Sequence, residues 1–241
     1  MNTINLFCLP FAGGNKYSFR EYELNAGKFV NIIPLEYPGR GARIKEPLLT
    51  NVHDMADDIY RQIRHQINAA PYAIYGHSLG TLVSLILTRK IVSNGDNLPI
   101  HLFVTGTSGP ASYAKKKRTR HLLPKEEFIK SVIELDGSPE GVLDHPELVD
   151  YYEPILRADF KAAETFTYEE NILPDLPLTV MTGTNESYDN EDIQTWQNET
   201  TWPAVFYKLP GGHFFILKNA AAIMNIITGK LQAPDKINLP H

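Results

Sequence analysis

The residues Gly76-His77-Ser78-Leu79-Gly80 set a serine in a G-x-S-x-G frame. Such a frame also arises by chance, so its setting decides what it means. Tyr72–Tyr75 reads as a brief apolar strand opened by Pro71, and Leu79–Val92 reads as a helix. Ser78 therefore falls on a strand-to-helix turn, where a strained backbone can present a serine oxygen as a nucleophile. Gly76 and Gly80 keep side-chain bulk out of that turn. The helix that follows aims its first N–H groups at the place where negative charge would develop. The plainer reading is a helix-capping serine in a glycine-rich turn.

A serine nucleophile needs a base, a carboxylate to orient the base, and donors for an oxyanion. Of the eight histidines, His213 follows an apolar run and the pair Gly211-Gly212, and it precedes the last helical stretch. That is where the order Ser, acid, His places the base. His77 lies inside the serine turn, next to the nucleophile and turned away from it. His53, His65, His101, His121, His145 and His241 have no motif around them and read as surface or packing residues. The acid belongs on the loop just past Gly183, where Glu186, Asp189, Glu191 and Asp192 are all candidates. One oxyanion donor is the amide of Leu79. The second is expected from the early loop Phe11-Ala12-Gly13-Gly14, whose glycines allow the φ values that turn amides toward a site.

Composition narrows the class. The chain has 241 residues, 43% of them hydrophobic, which suits one α/β domain with a substantial core. A formal charge of −5 argues against general attraction to nucleic acid or to an anionic membrane. The single cysteine, Cys8, excludes an internal disulfide and reads as a buried strand residue. No four-ligand zinc set, signal-peptide pattern or apolar run of membrane-spanning length is visible. A soluble, cytoplasmic monomer without bound metal or cofactor is the expectation.

The elements that must hold these residues alternate. Ile4–Leu9, Phe29–Leu35, Tyr72–Tyr75, His101–Gly106, Leu178–Gly183 and Val205–Leu209 read as strands. Val52, Met55, Ala56, Ile59, Tyr60, Ile63 and Ile67 mark one face of a helix, and Phe214–Leu231 reads as a closing helix with Leu217, Ala221, Met224 and Leu231 inward. Alternation of this kind predicts a mostly parallel sheet with helices on both faces. With the serine turn it predicts an α/β-hydrolase fold, a single domain over 1–241. Between about 109 and 174 the rhythm stops. Amphipathic stretches at Lys125–Leu135 and Pro146–Thr165, the second kinked or ended by Pro154, predict a helical lid insertion. The alternative is a helical cap without function.

Several segments together resemble the type II (external, editing) thioesterases of nonribosomal peptide and polyketide synthesis. These are Leu6–Gly14, Tyr37-Pro38-Gly39-Arg40-Gly41, Tyr75–Gly80, Leu123-Pro124 with Phe128, Leu156–Phe160, and Pro210–Phe215. The resemblance runs from about residue 4 to 231. It implies Ser78 as nucleophile and His213 as base. It implies an acid at Glu186, where the family usually has Asp, with Asp189 as the alternative. It implies Ala12, or Phe11, as the second oxyanion amide. The implied reaction is hydrolysis of an acyl thioester from the phosphopantetheine arm of an acyl or peptidyl carrier protein, to clear stalled or wrong acyl groups. The substrate itself carries the phosphopantetheine. Lys115-Lys116-Lys117-Arg118 is a candidate docking run for an acidic carrier, or else a solvated loop. Arg40 is open between a contact to the pantetheine phosphate and support of a turn. Rival readings are a carboxylesterase or lipase on free esters, an acyltransferase, and a non-catalytic α/β-hydrolase that only binds.

Overall fold

The computed structural model describes residues 3–135 and 146–232. His145 and His241, weighed above, lie outside them, as does part of the 109–174 insertion. Six strands, β1 (Ile4–Leu9), β2 (Val30–Pro34), β3 (Tyr72–His77), β4 (Leu102–Thr105), β5 (Leu178–Gly183) and β6 (Val205–Leu209), form one sheet in the order β2-β1-β3-β4-β5-β6. Every pairing is parallel. All carboxyl ends therefore lie along one edge, and the loops that follow β1, β3, β5 and β6 meet there.

Sidedness follows from the two-residue period of the strands. Phe7, Leu9, Tyr72, Ile74, Leu102, Val104, Leu178 and Val180 face one core, against helices α2 (Val52–Ile67) and α3 (Leu79–Ser93). Leu6, Cys8, Ala73, Tyr75, Phe103 and Met181 face the other, against Phe19, Tyr22 of α1 (Arg20–Asn25) and the closing helix. Cys8 is fully buried there, and burial pushes its thiol well up from the usual range. Helix α2 starts where Asn51 accepts the N–H of His53 at 2.7 Å, and it buries Val52, Met55, Ala56, Ile59, Ile63 and Ile67. Each large apolar side chain so buried contributes roughly 1.5–3 kcal/mol.

Between β4 and β5 the described residues carry three α-helices, α4 (Pro110–Lys115), α5 (Lys125–Ile133) and α6 (Pro146–Glu164), and no strand. Pro154 does not end α6. Phe128 and Val132 of α5 pack against Leu156 of α6, a small cluster apart from the two main cores. After β5 comes the short α7 (Asn190–Gln194).

The closing helix differs from its expectation. It is two helices, α8 (Phe215–Lys218) and α9 (Ala220–Gln232), broken at Asn219. The side-chain amide of Asn219 donates to the carbonyls of Pro210 and Phe215, competing with the helix ladder. The break shifts the buried face. Phe215, Ile216, Ala220, Ile223, Met224 and Ile227 are buried, whereas Leu217 and Ala221 point to solvent. Among the described residues no helix is long and apolar enough to cross a membrane.

Candidate active site

Ser78 occupies the turn between β3 and α3 with φ 54° and ψ −116°. A non-glycine residue held at positive φ stores strain, which persists only where its surroundings fix it. Two glycines do so by close approach. A Cβ on Gly76 would lie 2.4 Å from the carbonyl oxygen of Gly80, and one on Gly80 would lie 2.2 Å from that of Leu9. The backbone N–H of Ser78 donates to the carbonyl of Thr105 at 2.9 Å, tying the turn to β4.

His213, on the loop after β6, brings Nε2 to 3.0 Å from Ser78 Oγ. Its Nδ1 lies 2.7 Å from Oε1 of Glu186. A carboxylate only accepts, so Nδ1 carries the proton and Nε2 presents a lone pair to the serine hydroxyl. The second oxygen of Glu186 accepts the backbone N–H of Gly183 at 2.7 Å. The Glu186 side chain is 3% exposed. One carboxylate thus spans the end of β5 and the His213 ring, fixing both.

The other acidic candidates lie elsewhere. Asp189 is exposed at the start of α7 and makes no hydrogen bond to His213. Glu191 is exposed, and Asp192 pairs with Lys116 at 2.6 Å. That pair also revises the reading of the basic run, since Lys116 is already engaged. Arg118 lies over the Tyr113 ring at 4.2 Å, and Lys115 and Lys117 are exposed without an ion pair among the described residues.

Ala12 and Leu79 line the same cavity as Ser78 and His213. Their N–H groups have no acceptor among the described residues, Leu79 being the first residue of α3. The Ala12 loop is held from outside the sheet. The N–H of Gly13 donates to Oδ2 of Asp159 in α6 at 2.7 Å. Gly13 sits at φ +76°, and a Cβ there would come 2.6 Å from a Leu156 methyl. Asp159 also takes a two-pronged ion pair from Arg40, at 2.6 and 2.7 Å. Arg40 and Asp159 are both buried. This settles Arg40 as a support and not as a group open to a phosphate. Its pairing with Asp159 was missed from sequence, because 119 positions separate the two and no local spacing relates them.

His77 is fully buried under the site. Its Nδ1 is 2.9 Å from Thr105 Oγ1, and its ring centre is 5.0 Å from that of His213. Burial and then the neighbouring His213 hold its imidazole well below the usual range, so it stays neutral. His101, also buried, bonds Thr179 Oγ1 at 2.9 Å and stacks on Phe103. Both are packing residues.

The cavity above Ser78 has a volume of about 300 Å³, at the small end for ligand pockets. Leu156 and Phe160 of α6, Val132 of α5 and Tyr188 are among the side chains that line it. Geometrically the site offers a hydroxyl within reach of an imidazole lone pair, a carboxylate behind the imidazole, and two residues with unpaired backbone N–H groups, Ala12 and Leu79, in the same cavity lining. That arrangement fits attack on an acyl carbonyl.

A family model described as thioesterase domain matches residues 4–231. The chain is 32% identical to the gramicidin S biosynthesis protein GrsT of Aneurinibacillus migulanus over 230 residues, 95% of this chain and 89% of that protein. Two solved structures are similar throughout. ClbQ from the colibactin NRPS/PKS pathway is 27% identical with a TM-score of 0.90, covering 96% of this chain and 98% of its own. The type II thioesterase BorB from the borrelidin biosynthetic cluster is 28% identical with a TM-score of 0.86, covering 95% of this chain and 93% of its own. The fold is that of the α/β-hydrolases.

Proposed function

The chain belongs to the thioesterase family, and on that premise we propose that it is a type II thioesterase that hydrolyses acyl thioesters from the phosphopantetheine arm of carrier proteins. It is a serine hydrolase, so the non-catalytic reading is set aside. The observation that carries the proposal is the Ser78–His213–Glu186 chain of hydrogen bonds, open to a cavity that two unpaired amides also line.

In this reading Ser78 Oγ attacks the thioester carbonyl while His213 Nε2 takes its proton. Glu186 keeps the proton on Nδ1 and stabilises the imidazolium that forms. The amides of Leu79 and Ala12 hold the oxyanion, each such donor being worth about 2.7–4 kcal/mol of barrier. His213 returns the proton to the departing pantetheine sulfur as the C–S bond breaks. The imidazole then takes a proton from water, whose oxygen attacks the acyl ester, and gives it back to Ser78 as the free acid leaves.

One feature favours a tethered acyl group over a free ester: the relatives named above come from assembly-line pathways. Helices α5 and α6 contribute Val132, Leu156 and Phe160 to the cavity lining, apolar side chains that suit an acyl chain. Lys115 and Lys117 are the exposed cations we assign to steering an acidic carrier. The test compares kcat/KM for an acyl-carrier protein, the matching acyl-pantetheine and a nitrophenyl ester. The carrier-bound substrate should lead by tenfold or more at low salt, and Lys115→Glu with Lys117→Glu should reduce that lead. A faster nitrophenyl ester would favour the carboxylesterase reading, and acyl transfer in place of free acid would favour an acyltransferase.

A further inference from the structure

The proton that His213 Nε2 takes from Ser78 must pass to the departing sulfur, so the sulfur leaves on the His213 side of the serine. The oxyanion turns to the amides of Ala12 and Leu79, and the acyl chain takes the direction that remains. Val132 and Leu156, buried and apolar in the cavity lining, suit the acyl chain. On the loop that carries Glu186, Asn185 lines the same cavity and is exposed and polar. The proposed mechanism gives it no role.

Asn185 is tied to the His213 loop through its backbone. Its N–H donates to the carbonyl of Gly211 at 2.9 Å, just before Gly212 and His213 in the chain. Its side chain is oriented by its neighbour. Thr184 Oγ1 accepts the N–H of Gly211 at 3.3 Å and donates to Asn185 Oδ1 at 3.2 Å. With Oδ1 so used, the amide N–H₂ group faces away from Thr184 and has no acceptor among the described residues. An exposed donor is thus held beside His213, on the side where the thiol departs. In a pantetheine arm the first polar group beyond the sulfur is an amide, reached through a short ethylene link.

We propose that the side-chain amide of Asn185 donates a hydrogen bond to the pantetheine amide carbonyl nearest the sulfur, which makes Asn185 a specificity residue for the leaving thiol. This rests on the thioesterase reading above. The carbonyl lies away from the reacting carbon and carries the same charge before and during attack. The contact therefore binds substrate and transition state alike, and it acts on KM more than on kcat.

The test uses the full chain and octanoyl thioesters of three thiols. N-acetylcysteamine has the N–H and the carbonyl of the arm, 5-sulfanylpentan-2-one keeps the carbonyl alone, and 4-methylpentane-1-thiol has neither. Octanoyl carries no second carbonyl, so the comparison reads the thiol side only. Each kcat/KM is divided by the rate of hydroxide-promoted hydrolysis, which removes intrinsic reactivity. In the wild type both carbonyl-bearing thioesters should exceed the third by about three- to tenfold, mostly through a lower KM. In Asn185→Ala that ratio should fall toward one. In Asn185→Asp an oxygen replaces the N–H₂ group, so the ketone should lose more than N-acetylcysteamine, whose N–H the new oxygen can accept. Ratios taken within one enzyme do not depend on how much of it is folded. A wild-type ratio of one overturns the proposal, and so does a ratio that Asn185→Ala leaves unchanged. Failure of the thioesterase reading looks different, since none of the three thioesters would then be hydrolysed in a Ser78-dependent way.

Discussion

Asp159, on a helix inserted between β4 and β5, accepts the N–H of Gly13 at 2.7 Å and so fixes the loop that carries the Ala12 amide. The α5–α6 insertion is therefore joined to the catalytic edge of the sheet by more than apolar packing. Arg40 completes the link by gripping both oxygens of Asp159.

Removing one partner of a buried ion pair leaves a charge unpaired, which typically costs about 3–5 kcal/mol. Arg40→Met and Asp159→Leu should each lower the thermal midpoint strongly. The double variant should recover much of that loss, because no lone charge remains. Activity should not recover with it, since Gly13 has still lost its acceptor. Differential scanning calorimetry alongside kcat measurements on the three variants checks both halves.

The acid assignment has a sharp consequence. The N–H of Gly183 holds Glu186 Oε2 as an acceptor, so in Glu186→Gln the amide N–H₂ must face His213 Nδ1. Nδ1 then gives up its proton and Nε2 gains one, which is the wrong tautomer for taking the serine proton. A fall in kcat of about 10²–10⁴ is expected. Asp189→Asn, at an exposed position, should stay within about twofold of wild type. Steady-state hydrolysis of one acyl-pantetheine by both variants decides it.

Glycine at the serine turn is a matter of space. Gly80→Ala would drive a methyl group into the Leu9 backbone, with no flexible side chain able to yield. This variant should lose about 2 kcal/mol or more of stability, within the range for strained backbone substitutions, and nearly all activity. Urea denaturation and the same hydrolysis assay report on each. Gly95→Ala makes a useful contrast, because its would-be Cβ meets nothing within 4 Å and the remaining cost is that of its φ of +71°.

Buried histidines predict acid sensitivity. Burial, and secondarily Lys230, pushes His101 down to about 3, and burial with His213 holds His77 well below its usual range. Unfolded histidines titrate near 6.5. Below that pH the unfolded chain binds protons that the folded chain refuses, so stability is full above about 6.5 and declines as the pH falls toward the folded values. Each histidine should contribute a slope of up to ~1.4 kcal/mol per pH unit. Urea unfolding between pH 7 and 5 should show this slope. His101→Gln, which keeps a polar partner for Thr179, should flatten it by about one proton.

What was legible in the sequence follows the range of the forces involved. The six strands and helix α2 were readable because apolar periodicity is local, and Ser78 and His213 because their loops carry glycines at fixed offsets. Glu186 needed the family resemblance to single it out from Asp189, since loop length alone does not say which carboxylate folds back onto β5. The break at Asn219 was hidden because a side chain competing for helix carbonyls leaves the apolar pattern nearly continuous. The Arg40–Asp159 pair was out of reach, because it depends on elements that meet only after the sheet has formed.

The central claim is that Ser78 removes acyl groups from a carrier protein. Intact-mass spectrometry of an acylated carrier, mixed in turn with wild type and with Ser78→Ala, tests it most directly. The account predicts that wild type returns the carrier to its free-thiol form with release of the acid and a transient acyl adduct on the Ser78 peptide. It predicts that Ser78→Ala is slower by at least about a thousandfold while still folded. Deacylation by Ser78→Ala at the wild-type rate, or a carrier left acylated by a wild type that still cleaves nitrophenyl esters, would contradict it.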